Sequence, residues 1–277
     1  MNEIGANTRL LAVIGDPIRH SLSPLIQNRF IKEAGLDLAY LAFPVKAGQA
    51  AEFLQSARRL EIVGFNATMP LKEELFPLMS ELDPSAVGSV NTVVNKPGGF
   101  FGASTDGTGF LRALKLSGRE ASGLKALVLG SGGAARTVIS ALIQAGAEVS
   151  VCARNTKKAL ELVPEERLFP FPEIGSACRE ADLIVNATPL GMEGFGGDFE
   201  SFDFIKLLPK YALVFDLIYA PRKTQLLEYA QSAGLEYANG LSHLVNQAAI
   251  SFEFFTGYLP GAELVREVTG LAGETDS

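Results

Sequence analysis

The 277-residue chain has no tryptophan, two cysteines, two histidines and four methionines. Two thiols, Cys152 and Cys178, are too few for a disulfide framework or a metal cluster, and both fall in segments expected to be buried, where a thiol is an inert core group. His20 and His243 give no metal-ligand spacing, so no metal is expected. No apolar run reaches membrane-spanning length, and Met1-Asn2-Glu3-Ile4-Gly5 lacks the charged and apolar regions of a leader peptide. A cytoplasmic protein with no membrane partner is the expectation. Basic residues are in deficit, 24 Lys and Arg against 31 Asp and Glu, and the net charge of −7 argues against nucleic acid as a partner. With 47% hydrophobic residues the chain has material for one large or two ordinary cores.

The most informative stretch that is present is KALVLGSGGAAR, Lys125 to Arg136. Residues 126–129 suit a buried parallel strand. Gly130, Ser131, Gly132, Gly133 and Ala134 then open a helix, and residues 148–152 supply a second strand. In this strand–turn–helix–strand arrangement, backbone N–H groups and the positive helix end face a pyrophosphate. A dinucleotide that binds there as NAD is met by an acid at the end of the second strand. Here Ala153-Arg154-Asn155-Thr156-Lys157-Lys158 holds no acid, and Arg154 with Lys158 offers positive charge for a 2′-phosphate. The cofactor expected is NADP.

Strands are expected at 9–15, 38–45, 62–65 and 89–94, with helices at 25–34 and 48–60 between them. Ser23 before Pro24 reads as a helix N-cap, which leaves Ser21 without a capping task. Two hydroxyls at a strand end suit a polyhydroxylated ligand. Asn66, Thr68 and Lys72 follow another strand end, where open α/β sheets gather ligands. Lys72 stands at a helix start, where the helix dipole disfavours a cation; a solvated surface lysine is the plain alternative. Asn91 is expected on the strand at 89–94, ahead of a Pro97-Gly98-Gly99 turn. Thr105 or Asp106 caps the next helix, unless Asp106 lies at the mouth of a cleft between domains. Later strands are expected at 182–187, ending at Thr188, and at 213–217. A glycine- and acid-rich mobile loop is expected at 193–201, a helix at 224–233, and an apolar helix from Leu241 that returns to the first domain.

Taken together, these blocks resemble the shikimate dehydrogenase family over nearly the full length. The resemblance lies in His20-Ser21-Leu22-Ser23-Pro24, Asn66-Ala67-Thr68-Met69-Pro70-Leu71-Lys72, Gly88-Ser89-Val90-Asn91-Thr92 and Thr105-Asp106-Gly107-Thr108-Gly109-Phe110. It continues through 130–134, 186–192, 216–221 and Gln247. The resemblance implies a two-domain α/β enzyme: an open α/β substrate domain, residues 1–106 plus 239–277, and a doubly wound Rossmann-type NADP domain, residues 107–238. It implies reversible reduction of 3-dehydroshikimate to shikimate, within aromatic amino acid biosynthesis. Lys72 and Asp106 would be the catalytic pair. Ser21, Ser23, Thr68, Asn91, Tyr219 and Gln247 would hold substrate, with Asn66 nearby. Cofactor contacts would fall at Gly130 to Ala134, Ala153, Arg154, Asn155, Thr156, Lys158, Thr188, Leu217 and Gly240. The chain departs from the family pattern at Ser104 (usually Asn), at Gln27 (often His), at His243 (usually Met) and at Ala153 (usually Asn). A quinate/shikimate dehydrogenase with relaxed NAD/NADP use and a non-catalytic metabolite sensor are the rival readings. A homodimer is an open alternative to a monomer.

Overall fold

The computed structural model describes residues 4–274; Met1 to Glu3, part of the segment read for a leader, and the last three residues lie outside them. Two compact units result, Met1–Gly109 with Val245–Ser277, and Phe110–Leu244.

In the first unit, β1 (Arg9–Gly15), β2 (Leu38–Pro44) and β3 (Gly64–Ala67) run parallel in the order β2-β1-β3. The helices α1 (Ser23–Glu33) and α2 (Ala50–Arg59) make the crossovers, and the one-turn α3 (Lys72–Leu75) follows β3. The two-residue β4 (Glu81–Leu82) lies at the far edge, beside a hairpin of β5 (Thr92–Lys96) and β6 (Gly99–Ala103), with β5 antiparallel to β3. Leu10 to Gly15 is apolar throughout because β1 is a central strand covered on both faces. Leu54, Phe65, Leu71, Leu75 and Val93 pack together beneath α2 and α3.

The helix α4 (Asp106–Leu116) leads the chain into the second unit. There β7 (Lys125–Leu129), α5 (Gly133–Gln144), β8 (Glu148–Cys152), α6 (Thr156–Ala159) and β9 (Leu168–Phe169) form one half. The other half comprises α7 (Ile174–Cys178), β10 (Leu183–Asn186), β11 (Leu213–Asp216), α8 (Gln225–Ser232) and β12 (Glu236–Ala238). All six strands are parallel, in the order β12-β11-β10-β7-β8-β9. This is the doubly wound order whose reversal lies between its first and fourth strands, β7 and β10. The α9 helix (Leu241–Thr256) returns the chain to the first unit, and α10 (Ala262–Glu274) ends it.

Three local expectations change. Ser23 is not a cap: Leu22 holds the N-cap position with no side-chain bond, and Ser23 is the first helical residue. Its N–H donates to Ser21 Oγ at 3.2 Å, so Ser21 does the capping. Pro24 has no N–H to satisfy, and the N–H of Ser23 is one of the first-turn donors that has no acceptor within the helix. Asn91 precedes β5 rather than lying on it, although its main chain still donates to Ala103 O and accepts from Ala67 N. Finally, the loop at 193–201 is not wholly a surface feature. Phe199 is buried against Phe171, Phe202 and Phe204.

No helix of the described residues is long and apolar enough to cross a membrane. Cys152 and Cys178 are buried, and burial pushes both thiols up to about 12, well out of the reactive range.

Candidate active site

In the first unit, β3 runs out into Thr68-Met69-Pro70 and delivers Lys72 to the start of α3. The ammonium that the helix start disfavours is countered by Asp106: Lys72 Nζ lies 2.7 Å from Asp106 Oδ2. Their side chains are 18% and 5% exposed, so solvent screens this pair far less than a surface salt bridge. Asp106 Oδ1 accepts from Asn91 Nδ2 at 2.8 Å. Asn91 Oδ1 accepts from the Thr105 N–H at 2.9 Å. A carboxylate can only accept and an N–H can only donate, so these two contacts fix which way the Asn91 amide points.

The cluster extends inward. Asn91 Nδ2 also lies 3.3 Å from Gln247 Oε1 on α9, and Thr105 Oγ1 lies 3.1 Å from the same oxygen. Asn66 is wholly engaged: Oδ1 accepts from the Tyr40 hydroxyl at 2.8 Å, and Nδ2 faces Asn91 O, Thr92 Oγ1 and Ser251 Oγ at 2.9 to 3.2 Å. Burial raises the Tyr40 phenol well above its ordinary value, so it remains a hydrogen-bond donor at neutral pH.

The loop after β3 lies along the end of β1. Thr68 N–H donates to Ile14 O at 2.9 Å and Asp16 N–H to Met69 O at 3.1 Å. Half-buried Thr68 thus sits at the strand end that leads into Ser21 and Ser23.

In the second unit, Gly130 has φ of 112°, and its N–H donates to Cys152 O at 2.8 Å. A Cβ there would stand 3.0 Å from the Thr188 methyl, so the turn is both left-handed and closely packed. Gly132, the N-cap of α5, is the opposite case: its backbone is ordinary, and a Cβ would meet nothing within 4 Å. Open space in front of a twelve-residue helix N-terminus, which a side chain would fill, is the shape a pyrophosphate needs. At the end of β8, Arg154 is exposed, and Asn155 Oδ1 caps α6 by accepting from the Lys158 N–H at 3.1 Å. That cap holds Arg154 and Lys158 on one short turn with no acid between them. These residues fit a phosphorylated dinucleotide.

At the ends of β10 and β11, buried Asp216 accepts from Asn186 Nδ2 and Ile218 N–H at 3.0 Å through one oxygen, and from Thr224 Oγ1 at 2.6 Å through the other. Burial pushes its carboxyl up to about 6 despite these bonds. Thr188 donates to Asn186 Oδ1 at 2.7 Å, which ties the loop after β10 to the same group. Gly240 packs directly on main chain: a Cβ would lie 2.0 Å from Leu217 O, and its N–H donates to Ile218 O. This anchors the segment before α9 beside the Tyr219 loop.

Two family models match the chain, one in each unit. The model of the shikimate dehydrogenase substrate binding domain matches residues 13–93, and that of shikimate / quinate 5-dehydrogenase matches residues 113–191. The NADP(+) shikimate dehydrogenase of Alkaliphilus metalliredigens is 35% identical, over 96% of this chain and 98% of its own. The chain belongs to the shikimate dehydrogenase family. Among solved structures, the shikimate 5-dehydrogenase of Thermus thermophilus in complex with NADP(H) and shikimate is 38% identical. It superposes with a TM-score of 0.84 over 95% of this chain and 99% of its own. That of Listeria monocytogenes, in complex with shikimate and NAD, is 33% identical with the same TM-score, over 97% of this chain and 98% of its own.

Of the residues that the family resemblance singles out, Lys72, Asp106, Asn91, Gln247 and Asn66 are joined by continuous hydrogen bonds in the first unit. Ser21, Ser23 and Thr68 lie in the same unit at the ends of β1 and β3, outside that network; Tyr219 lies in the second unit. Sequence reasoning leaves out Tyr40, Thr92 and Ser251. The available signal for Ser251 is a hydroxyl one helical turn after Gln247 in an otherwise apolar face.

Proposed function

We propose that the protein is an NADP-dependent shikimate dehydrogenase that reversibly reduces 3-dehydroshikimate to shikimate, in the cytoplasm, as a step of aromatic amino acid biosynthesis through chorismate. The observation that carries the reading is the Lys72–Asp106 contact, a partly buried ammonium held by a carboxylate among neutral amides and hydroxyls, in a family member matched end to end.

Bound NADPH supplies a hydride to the carbonyl carbon. The chain's own residues do the rest. Lys72 stabilises the negative charge that grows on the oxygen and gives it a proton, which completes the hydroxyl. Asp106 aims the ammonium and accepts from a neighbouring substrate hydroxyl. Asn91 holds Asp106 from behind, and Asn91, Gln247, Thr68, Ser21 and Ser23 supply donors and acceptors for a carboxylate and ring hydroxyls; Tyr219 is a substrate residue by the family resemblance alone. In this reading Asn66, with both side-chain polar atoms bonded inside the unit, supports Asn91 and does not reach the ligand. Residues 1–106 plus 239–277 serve substrate and residues 107–238 serve NADP. The pyrophosphate meets Gly130 to Ala134; Arg154 and Lys158 meet the 2′-phosphate, beside Ala153, Asn155 and Thr156. Thr188 and Leu217 shape the nicotinamide half, together with Gly240, which packs on Leu217 at the boundary between the two parts.

The test is initial velocity, read as nicotinamide absorbance, with shikimate or quinate against NADP or NAD. Turnover that strongly favours shikimate with NADP supports the reading. Comparable quinate or NAD rates would move the protein to a relaxed quinate/shikimate class, a second reading that the name of the second family model and the NAD complex of the Listeria relative favour. Binding without turnover of any pair would leave only a metabolite sensor.

A further inference from the structure

The Ser251 hydroxyl, fully buried on α9, meets side chains from two other elements and the junction before a third. Thr105 Oγ1 lies 3.0 Å away, Thr92 Oγ1 2.8 Å, and Asn66 Nδ2 donates to it at 2.9 Å. Thr92 Oγ1 in turn lies 2.9 Å from Asn91 Oδ1, and Asn91 Nδ2 lies 3.0 Å from Thr105 Oγ1. These contacts close a ring.

We propose that Ser251 is a positioning residue for substrate recognition, which closes a hydrogen-bond ring through Asn91, Thr105 and Thr92; the proposal rests on the function argued above. The ring is fixed at its Asn91 end. The Asn91 amide nitrogen can only donate and its oxygen can only accept, and Asp106 with the Thr105 N–H holds the amide in its present orientation. Asn91 Nδ2 therefore donates to Thr105, and Thr92 donates to Asn91 Oδ1. Ser251 joins these two hydroxyls: it lies 3.0 Å from Thr105 Oγ1 and 2.8 Å from Thr92 Oγ1, accepts from Asn66 Nδ2, and has the Gln247 main-chain carbonyl at 3.0 Å as a further acceptor for its proton. Bonds chained in this way strengthen one another.

The consequence falls on Gln247. Thr105 has one proton and three acceptors, Ser251 Oγ at 3.0 Å, Gln247 Oε1 at 3.1 Å and Asn91 Oδ1 at 3.2 Å. Ser251 Oγ is the nearest of them. With Ser251 removed, Gln247 Oε1 becomes the nearest acceptor for that proton, where a substrate hydroxyl must then compete with it, and Asn91 loses a restraint on its amide. Substrate affinity suffers while the Lys72–Asp106 pair stays in place.

The experiment is steady-state kinetics of Ser251→Ala, Ser251→Thr and Thr92→Val, each with a thermal midpoint. Ser251→Ala is expected to raise KM for shikimate roughly tenfold, the effect of one lost hydrogen bond at a binding group, with kcat and KM for NADP within about twofold. Ser251→Thr, which keeps the hydroxyl, is expected to restore KM. Thr92→Val breaks the next link and is expected to copy Ser251→Ala. Unchanged KM in both broken rings would overturn the inference while wild-type turnover leaves the function standing. Equal losses in shikimate and NADP affinity would overturn it too, as the mark of general destabilisation. A wild type inactive on shikimate would remove the function and this inference together.

Discussion

Asp106 is shared between a cation and an amide: one oxygen lies 2.7 Å from Lys72 Nζ and the other accepts from Asn91 Nδ2 at 2.8 Å. A carboxylate so held cannot rotate, and the ammonium it faces inherits a fixed direction. Lys72→Ala should therefore reduce kcat by a factor on the order of 10³ while shikimate binding, measured by calorimetry, is retained. Asp106→Asn should also lose activity, since an amide can still meet Asn91 but no longer carries the charge that orients Lys72. Either variant with near-native kcat would remove the pair from the chemistry.

The glycines of the second unit separate folding from binding. Gly132→Ala puts a methyl into open space on ordinary backbone, so its thermal midpoint should match or slightly exceed that of the wild type. Its NADP affinity should fall at least tenfold, because the methyl occupies the pyrophosphate's place before α5. Gly240→Ala drives a methyl to 2.0 Å from Leu217 O and should destabilise the protein outright. A Gly132→Ala protein with native NADP affinity would place the phosphates elsewhere.

Arg154 is the exposed cation at the end of β8, and Arg136 nearby is already paired with Glu161 at 2.9 Å. The burden of reading a 2′-phosphate thus falls on Arg154 first and Lys158 second. Arg154→Ser should raise KM for NADP by roughly one to two orders of magnitude, the range for a lost charge-assisted bond, and leave KM for NAD within a few-fold. Equal effects on both cofactors would mean that Arg154 acts on something common to them.

How much of this was legible depends on range along the chain. The β7–α5–β8 unit could be read because an apolar run, a glycine turn and a helix adjoin, and each carries its own local signal. Elements with little burial left no such signal: the two-residue β4 is exposed and β12 is a short edge strand. The helix α10 does carry one, Val265, Val268 and Ala272 spaced along a buried face, and the sequence reading places nothing there. β3 and β5 begin two or three residues later than their apolar runs, since Ile62 and Val90 are buried by packing without joining a ladder. Lys72 was visible as a polar residue after a strand end, Asp106 as an acid at a helix start, and Asn91 as a polar residue read on a strand. Their contacts were not, because the network spans Asn66 and Ser251, 185 positions apart. Ser23 shows the limit of a local rule: a serine before proline is a good cap by composition, yet the serine two residues earlier does the work.

Asp216 gives the clearest pH signature. Its carboxyl is pushed up to about 6 by burial, above the usual carboxylate value, so the folded chain holds a proton there that the unfolded chain has released. Between about pH 4 and about pH 7 the native state therefore binds more protons than the unfolded state, and stability falls as pH rises through that window, by at most about 1.4 kcal/mol per pH unit. Asp216→Asn removes the titration and preserves the bonds. Its oxygen still accepts from Asn186 and Ile218, and its amide donates to Thr224 Oγ1, as a protonated Asp216 would. Urea midpoints of the two proteins should converge near pH 4 and separate above about pH 6, with the asparagine variant the more stable by roughly 1 to 3 kcal/mol. Parallel curves would show that Asp216 stays charged, and that its three donors outweigh the cost of burying it.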